Sequence, residues 1–292
     1  MNFKDLMLSD LELVEKELLK YLETKDVMFP KLFESMSYTT MAGGKRIRAF
    51  LVLMFARLSG GSVKAALPYA CALEMVHAYS LIHDDLPCMD DDDMRRGKPS
   101  NHIVYGEALG LLAGDALLTY AFEICATNPN VDPSLAAKAV GTLASLAGAC
   151  GMVGGQVLDL EGEKRKLSRE ELYHVHELKT AALIRAAASL GCCTTFEGLK
   201  YLDRANKYGQ NIGLAFQVVD DILDVTGDEQ SLGKPIGSDA ENNKTTYLDF
   251  MSLDDAKVYA RELTDEACSD LGEGENADVL RQLAYYLLER KN

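Results

Sequence analysis

The stretch AALPYACALEMVHAYSLIHDDLPCMDDDD, residues 65–93, joins a strongly apolar segment directly to a cluster of aspartates. The apolar part, Ala65 to Leu81, predicts a strongly apolar helix. Asp84 and Asp90 are six residues apart, and this spacing puts side chains on opposite faces of an ideal helix. Pro87 lacks an N–H and disrupts regular helix. We therefore predict that a local distortion at this proline turns both carboxylates to the same side.

A second acidic cluster, DDILD at residues 220–224, is flanked by apolar residues. Asp220 and Asp224 are four residues apart and share one face of a helix. Like charges on an apolar helix are costly unless a counter-charge is present. A divalent cation would supply that charge, and carboxylate oxygens without cysteine or histidine partners favour Mg²⁺ over Zn²⁺. The alternative is a run of solvated charge, which we prefer only for residues 91–93.

The rest of the chain also has a helical pattern. Apolar residues at spacings of three and four predict an amphipathic helix between Leu11 and Leu22. Asp132 and Pro133 form a helix start that opens an Ala-rich run to Cys150. A capping box at Ser168 opens another helix through Leu190, and the signal recurs at 252–255. The stretch 192–195 is strand-like but too short for a sheet. We predict one all-α domain spanning residues 1–292.

Composition limits the classes of function. The net charge of -15 and the pI of about 4.8 argue against nucleic acid as a partner, because phosphate backbones require a basic surface. We find no apolar run approaching the ~20 residues that span a bilayer and no signal-peptide pattern at the N-terminus. The seven cysteines are irregularly spaced, which favours reduced thiols. We expect a cytoplasmic protein with no membrane partner.

Basic residues occur where an anionic ligand would need them. GGKRIR, residues 43–48, combines a flexible turn with cations at a helix start, where a diphosphate could bind. Arg95 and Arg96 directly follow the first acidic cluster. Lys179 precedes a nearly apolar half-helix, so we expect its charge to face a cleft. Lys234 and Lys244 lie in a glycine-containing loop where a lid is expected.

Together these motifs resemble the trans-isoprenyl diphosphate synthases, specifically the bacterial-type farnesyl and the type II geranylgeranyl diphosphate synthases. GGKRIR resembles the family's GGKRxRP, with Ala49 in place of the proline. SLIHDDLPCMDDDDMRRGKPSNH resembles its first aspartate-rich motif in the form with two inserted residues. GGQ at 154–156, KT at 179–180, FQVVDDILD and GKPIGSD match further blocks in the same order. The resemblance covers the chain from about residue 38 onward.

The resemblance implies a bundle of roughly ten or more antiparallel helices around a deep cavity, and it implies a homodimer. The residues expected to bind isopentenyl diphosphate are Lys45, Arg48, His77 and Arg96. Those expected at the allylic diphosphate or its developing cation are Arg95, Lys179, Thr180, Gln217 and Lys234, of which Lys179, Thr180 and Gln217 are the catalytic candidates. Asp84 and Asp90 would ligate two Mg²⁺ ions and Asp220 a third. Asp85, Asp221 and Asp224 would act partly through metal-bound water.

The implied reaction is ionisation of the allylic diphosphate, attack by the isopentenyl double bond and loss of a proton to the released diphosphate. Tyr79 is five residues before Asp84, roughly 7.5 Å along the helix, where a ring would stop the growing chain. In this family an aromatic residue there accompanies the fifteen-carbon product, so we predict farnesyl diphosphate. The alternative for Tyr79 is a position in the bundle core.

Other functions stay open. A type II geranylgeranyl diphosphate synthase would share every motif. A catalytically silent partner subunit of a heteromeric synthase is a different class, although such subunits generally lose aspartates. A metal-dependent phosphohydrolase is suggested by His83-Asp84 but lacks further histidine ligands. A class I terpene cyclase would lack the second aspartate motif and the GGKR block. For His77, a hydrogen-bonded core histidine is the alternative to a ligand.

Overall fold

The computed structural model describes residues 3–23, 27–226 and 244–290. The helices are α1 (Phe3–Leu22), α2 (Pro30–Thr40), α3 (Ile47–Leu58), α4 (Val63–Asp84), α5 (Asn101–Tyr105), α6 (Glu107–Ala126), α7 (Pro133–Ala147), α8 (Met152–Gly162), α9 (Arg169–Val175), α10 (Ala182–Cys192), α11 (Leu202–Thr226), α12 (Leu253–Cys268) and α13 (Glu275–Leu288). A π-helical turn, His176–Ala181, joins α9 to α10, and short 3₁₀ turns span Gly198–Tyr201 and Tyr247–Asp249. The predicted all-α class is confirmed.

The predicted helix starts are found. The side chain of Asp132 accepts the N–H of Ser134 at 2.8 Å ahead of α7, and Ser168 forms the expected capping box at α9. Two predicted extents differ. Helix α7 ends at Ala147, not Cys150, because the chain turns through glycines between α7 and α8. The segment predicted to be one helix to Leu190 is interrupted by the π turn.

One small antiparallel hairpin pairs β1 (Met94–Arg95) with β2 (Lys98–Pro99). Its two turn residues, Arg96 and Gly97, both have positive φ, as a type I′ turn requires. The strand-like stretch 192–195 is instead the end of α10 and a turn. The hairpin sets the direction of Arg95 and Arg96 beside the end of α4.

The core is built around α4. This helix packs against α3 and α6, while α10 packs against α3 and α11, and α11 against α12. Most residues of α4 between Ala65 and Ile82 are buried. An element surrounded in this way shows no amphipathic stripe, and it carries the aspartates at its end into the interior of the bundle.

Three segments are long and apolar enough to cross a membrane when length and composition alone are counted. They are Val63–Asp84, Glu107–Ala126 and Pro133–Gly162, the last covering α7 and α8. The prediction that no apolar segment approaches membrane-spanning length is therefore wrong when length and mean hydropathy are counted. The first segment is apolar because it packs inside the protein, where 78% of its apolar window is buried. Corresponding windows of the other two are 39% buried, and α6 has an exposed apolar face.

A buried ion pair ties α4 to the loop before α3. Glu74 on α4 is 2% exposed and accepts from Arg46 Nη1 at 3.0 Å and from the N–H of Ala49 at 3.1 Å. Arg46 also donates to the carbonyl of Thr40 at 2.5 Å. Arg46 has a φ of 48°, a strained value for a residue that is not glycine. The pair therefore fixes the backbone that leads into α3. Proline at position 49 could not make the Ala49 bond, since it has no N–H.

We expect Glu74→Leu to lower the free energy of unfolding by about 3–5 kcal/mol, because it leaves the Arg46 guanidinium buried and unpaired. Urea denaturation followed by circular dichroism measures the loss. The matched control is the double variant Arg46→Met/Glu74→Leu, which replaces the pair with apolar side chains and should recover most of the stability. A double variant as unstable as the single one would contradict this account of the pair.

Candidate active site

The first acidic cluster forms a compact turn at the end of α4. The helix ends at Asp84, and the N–H of Asp90 donates to the carbonyl of Asp84 at 2.8 Å. Further backbone bonds from Met89 and Asp91 to the carbonyl of Leu86 close the turn. The predicted interruption after Asp84 is thus present, and it returns the chain so that Asp90 lies beside Asp84.

The carboxylate of Asp84 is not neutralised by a close cation. Neither Asp84 nor Asp90 has an ion-pair partner within 4.0 Å among the described residues. Burial raises the pKa of Asp84 to about 6; the nearby charge of Lys179 opposes this rise, and Asp90 adds to it. Two close carboxylates without a bonded cation are an arrangement suited to a divalent ion.

Lys179 lies opposite these acids on the π-helical turn. Such turns often occur at functional sites. Its ammonium is 2.5 Å from Asp159 Oδ2 on α8. Burial lowers the pKa of Lys179, but Asp159, then Asp84 and Asp90, raise it above its usual value. Lys179 therefore carries a charge in a half-buried position, as expected for a cleft-facing lysine.

Thr180 and Gln217 are brought together from different helical segments. The hydroxyl of Thr180 donates to Gln217 Oε1 at 2.8 Å. This bond orients the amide of Gln217 on α11 toward the π turn. The two residues were predicted as catalytic candidates along with Lys179, and the structure joins all three at one place.

A cluster of cations lies at the other end of the same region. The Nε of Arg48 is buried and has no hydrogen-bond partner among the described residues. Burial, followed by the charges of Arg48 and Arg96, lowers the pKa of His77 well below its usual value, so His77 is neutral at pH 7. Arg96 donates to the carbonyl of Gly43. A Cβ on Gly44 would lie 2.9 Å from the guanidinium of Arg96, so glycine at 44 permits this contact.

Lys45 is exposed at the rim of the cluster. Burial and the charge of Arg290 lower its pKa, while Asp220 raises it. Lys45 is therefore close to the second acidic cluster as well as to the GGKR loop. The loop thus lies between the two aspartate motifs.

A cavity of about 540 Å³ connects the cation cluster to the first acidic cluster. It is lined at its polar ends by Arg48, His77, Asp84, Lys179 and Thr180. Its walls are mainly apolar side chains from α4, α6 and α8, among them Leu111, Met152 and Val157. Tyr79 also lines it and is 6% exposed. Tyr79 is also part of the hydrophobic core, so it combines a position in the bundle core with contact to the cavity. His83 lines the cavity too and bonds the carbonyl of Leu111 at 3.0 Å.

The second acidic cluster is held by protein contacts on α11. Asp220 Oδ1 accepts from Arg290 at 2.7 Å, and Arg290 also lies 3.7 Å from the ring centroid of Phe216. Asp221 is buried and accepts the N–H of Tyr247 at 2.7 Å. Asp224 is 3% exposed. A smaller pocket of about 220 Å³ reaches from Asp221 to Lys179 and Thr180, so both clusters face the same pair of residues.

Arg95, a further predicted site residue, pairs with acids of its own motif. Arg95 is bound to Asp85, with Nε at 2.8 Å from Oδ1, and to Asp92 at 3.1 Å. It is therefore engaged within the first motif. Lys234 and the block GKPIGSD lie outside the described residues. Lys244 is described and lines the smaller pocket.

Three residues that bond the candidate site were not predicted from the sequence. Glu74, Asp159 and Arg290 each bond a candidate site residue or its loop across 20 or more positions of sequence. Glu74 had a detectable signal, an acid inside a long apolar helix. Asp159 lies three residues after the GGQ block, and Arg290 carries no local signal that distinguishes it from a surface arginine.

The donor set fits Mg²⁺ better than a softer metal. Within the described residues no group of three His, Cys, Asp or Glu side chains is close enough to enclose a metal ion. Mg²⁺ commonly uses one or two carboxylates and takes its other ligands from water and substrate phosphates. Asp84 with Asp90, and Asp220 separately, match that pattern. The four-ligand site of structural zinc does not.

Comparison with known proteins agrees with this geometry. The pattern of the Polyprenyl synthetase family matches residues 29–286. A geranylgeranyl diphosphate synthase from Cyanophora paradoxa is 44% identical, covering 96% of this chain and 94% of its own length. A farnesyl diphosphate synthase from Bacillus subtilis is 46% identical over 84% of this chain and 83% of its own. The crystal structure of an FPP/GFPP synthase from Zymomonas mobilis superposes with a TM-score of 0.88 at 35% identity, covering 98% of this chain and 99% of that one.

The chain therefore belongs to the polyprenyl synthetase family of trans-prenyl diphosphate synthases. It is a short-chain prenyltransferase.

We expect Asp84→Asn to stabilise the metal-free protein at pH 7, because the variant removes a buried charge whose ionisation folding disfavours. The pKa of about 6 in the folded protein lies above the ordinary aspartate value of 3.8, so the destabilising effect is complete above pH 6. It fades as pH falls toward 3.8, where the carboxyl is protonated in both states. Thermal unfolding in EDTA between pH 4 and pH 8 measures the difference in Tm between variant and wild type. A difference that stays constant with pH would contradict this assignment.

Proposed function

We propose that this enzyme condenses isopentenyl diphosphate with dimethylallyl and geranyl diphosphates, with Mg²⁺, to give farnesyl diphosphate. The observation that carries the proposal is an apolar cavity with the carboxylate of Asp84 at one end, without a close cation among the described residues, and Arg48 at the other, whose buried Nε has no hydrogen-bond partner among those residues. Two anionic substrates need two such poles, and an apolar cavity between them suits prenyl chains. The uninterrupted family match over residues 29–286 supports treating the whole chain as one domain.

The poles have different tasks in this proposal. Arg48, Lys45 and Arg96, with neutral His77 as a hydrogen-bonding group, hold the diphosphate of the isopentenyl substrate. Asp84 and Asp90 would hold two Mg²⁺ ions and Asp220 a third, while Arg95 and Lys234 would complete the allylic site. Bound Mg²⁺ supplies charge stabilisation to the departing diphosphate. Lys179 adds a donor at the same edge, where developing negative charge is stabilised best by groups already in place.

The remaining steps depend on orientation and on exclusion of water. Cleavage of the allylic C–O bond leaves a carbocation that water would capture, and the apolar walls of the cavity keep water away. The oxygens of Thr180 and Gln217, held together by their hydrogen bond, face the cation and favour its charge. The isopentenyl double bond forms the new C–C bond, and the released diphosphate accepts the proton that is lost.

Chain length is the finer part of the proposal. The relatives include both farnesyl and geranylgeranyl diphosphate synthases, so resemblance alone does not choose between them. Tyr79 lines the cavity one and a half turns below Asp84, where its ring would meet the end of a fifteen-carbon chain. The second candidate is a geranylgeranyl diphosphate synthase, which would require the chain to pass this ring.

We expect the wild-type enzyme, given Mg²⁺, labelled isopentenyl diphosphate and geranyl diphosphate, to yield a dominant fifteen-carbon product. Tyr79→Ala should shift the dominant product to twenty carbons or longer, because it removes the ring that blocks the cavity. Chromatography of the dephosphorylated alcohols measures both results. Ser80→Ala is the matched control, since it shortens the neighbouring cavity residue without opening the space below.

A twenty-carbon product from the wild type would overturn the role of Tyr79 but keep the reaction. An unchanged product distribution in Tyr79→Ala would do the same. Failure of the wild type to elongate geranyl diphosphate, and dimethylallyl diphosphate in a parallel assay, would contradict the proposed activity and favour the silent-subunit alternative.

We also propose that the enzyme is a homodimer in the cytoplasm. Ile103 and Val104 on α5 and Leu111 and Leu112 on α6 are 46–55% exposed, and clustered apolar exposure marks an association surface. A second copy of the chain, meeting this surface with its own, would cover both apolar faces.

We expect Leu112→Glu to convert the dimer to a monomer, because the change places a charge within the apolar surface. Light scattering during size exclusion measures the mass. Val258→Glu, at a position on α12 that is 57% exposed, is the control and should leave the dimer intact. Equal masses for both variants would contradict this choice of surface.

A further inference from the structure

Three carboxylates, those of Asp159, Asp84 and Asp90, lie near the ammonium of Lys179. Its ammonium is bonded to Asp159 at 2.5 Å, while Asp84 and Asp90 act on it only through space. A lysine ammonium is a compact charge on a flexible stem, so it could pair with any of the three if nothing fixed its position. Pairing with Asp84 or Asp90 would place a cation where the proposed metal ions bind.

Helix α8 holds Lys179 at two points. A Cβ on Gly155 would lie 2.1 Å from the backbone nitrogen of Lys179, so α8 rests directly on the backbone of the π turn. Asp159 is four residues further along, on the same face of α8, and reaches the ammonium of the same lysine. One face of the helix thus fixes both the backbone and the charge of Lys179.

The Lys179–Asp159 ion pair is shielded enough to hold the lysine side chain in one position. Lys179 and Asp159 are 27% and 24% exposed, so the pair is partly shielded from solvent and keeps more of its attraction than an exposed pair. It connects two segments 20 residues apart and leaves both Asp84 and Asp90 without a close cation among the described residues.

We propose that Asp159 is a positioning residue that holds Lys179 away from Asp84 and Asp90 and so leaves those carboxylates open to the metal ions. The inference rests on the metal site proposed above. In this role Asp159 contacts neither the metal ions nor the reacting atoms. Gly155, the second glycine of the GGQ block, allows α8 to approach the backbone of Lys179 closely enough for the pair to form.

The test measures binding of Mn²⁺, a hard divalent ion that also prefers oxygen ligands, to the ligand-free protein. The signal of free Mn²⁺ in electron paramagnetic resonance gives the dissociation constant. Asp159→Asn should raise it about tenfold or more, the usual effect of losing a partner that orients a metal site. Asp159→Glu should restore most of the affinity. Glu161→Gln, an exposed acid on the same helix, is the matched control for loss of one charge.

A double-mutant cycle separates positioning from a general structural effect. In a Lys179→Met background the Asp159→Asn change should no longer weaken Mn²⁺ binding, because no lysine remains to compete. A loss of affinity that persists in that background would overturn the proposal, as would an Asp159→Asn protein that binds Mn²⁺ like the wild type. The Asp84→Asn variant tests the proposed metal site separately from the role of Asp159. If Asp84→Asn leaves Mn²⁺ binding unchanged, the proposed metal site itself is wrong.

Discussion

The cost of placing unpaired charge inside an apolar helical bundle is the constraint on which this structure depends. Buried carboxylates and guanidinium groups are destabilising unless they are paired or neutralised. Most charged groups near the cavity do have partners, as Glu74 has Arg46 and Asp85 has Arg95. Asp84, which is partly buried, and Arg48, whose Nε is buried, lack close partners among the described residues, and the exposed Asp90 adds a second unpaired carboxylate beside Asp84. These exceptions define where ligands must bring charge.

Helix α4 arranges those exceptions along one line. His77 and Asp84 are seven residues apart, roughly 10 Å along a helix, and Tyr79 lies between them. The same element therefore contributes to the cation cluster, the cavity wall and the metal-binding edge. Because α4 is enclosed by other helices, its side chains have little freedom to rearrange, and the distance between His77 at one pole and Asp84 at the other is fixed by the helix. A reaction that joins two diphosphate-bearing substrates benefits from such fixed separation.

The sequence was sufficient for features that depend on neighbours along the chain. The helix starts at Asp132 and Ser168 follow from local capping chemistry, and the return of Asp90 toward Asp84 follows from the proline between them. Contacts between residues far apart in the sequence could not be predicted. Nothing near Asp159 indicates that it bonds Lys179, since that requires α8 to lie against the π turn. The π turn itself was missed because its residues have ordinary helical propensity. The apolar length of α6 was underestimated because scattered polar residues interrupt a segment that is apolar on average.

The most direct measurement of the central claim is a crystal structure with Mg²⁺ and a thio analogue of dimethylallyl diphosphate, which cannot ionise readily. The account predicts metal ions between the diphosphate oxygens and the carboxylates of Asp84 and Asp90, a further ion at Asp220, and the prenyl chain directed toward Tyr79. A diphosphate bound away from these aspartates, or a prenyl chain outside the cavity lined by Tyr79, would contradict it.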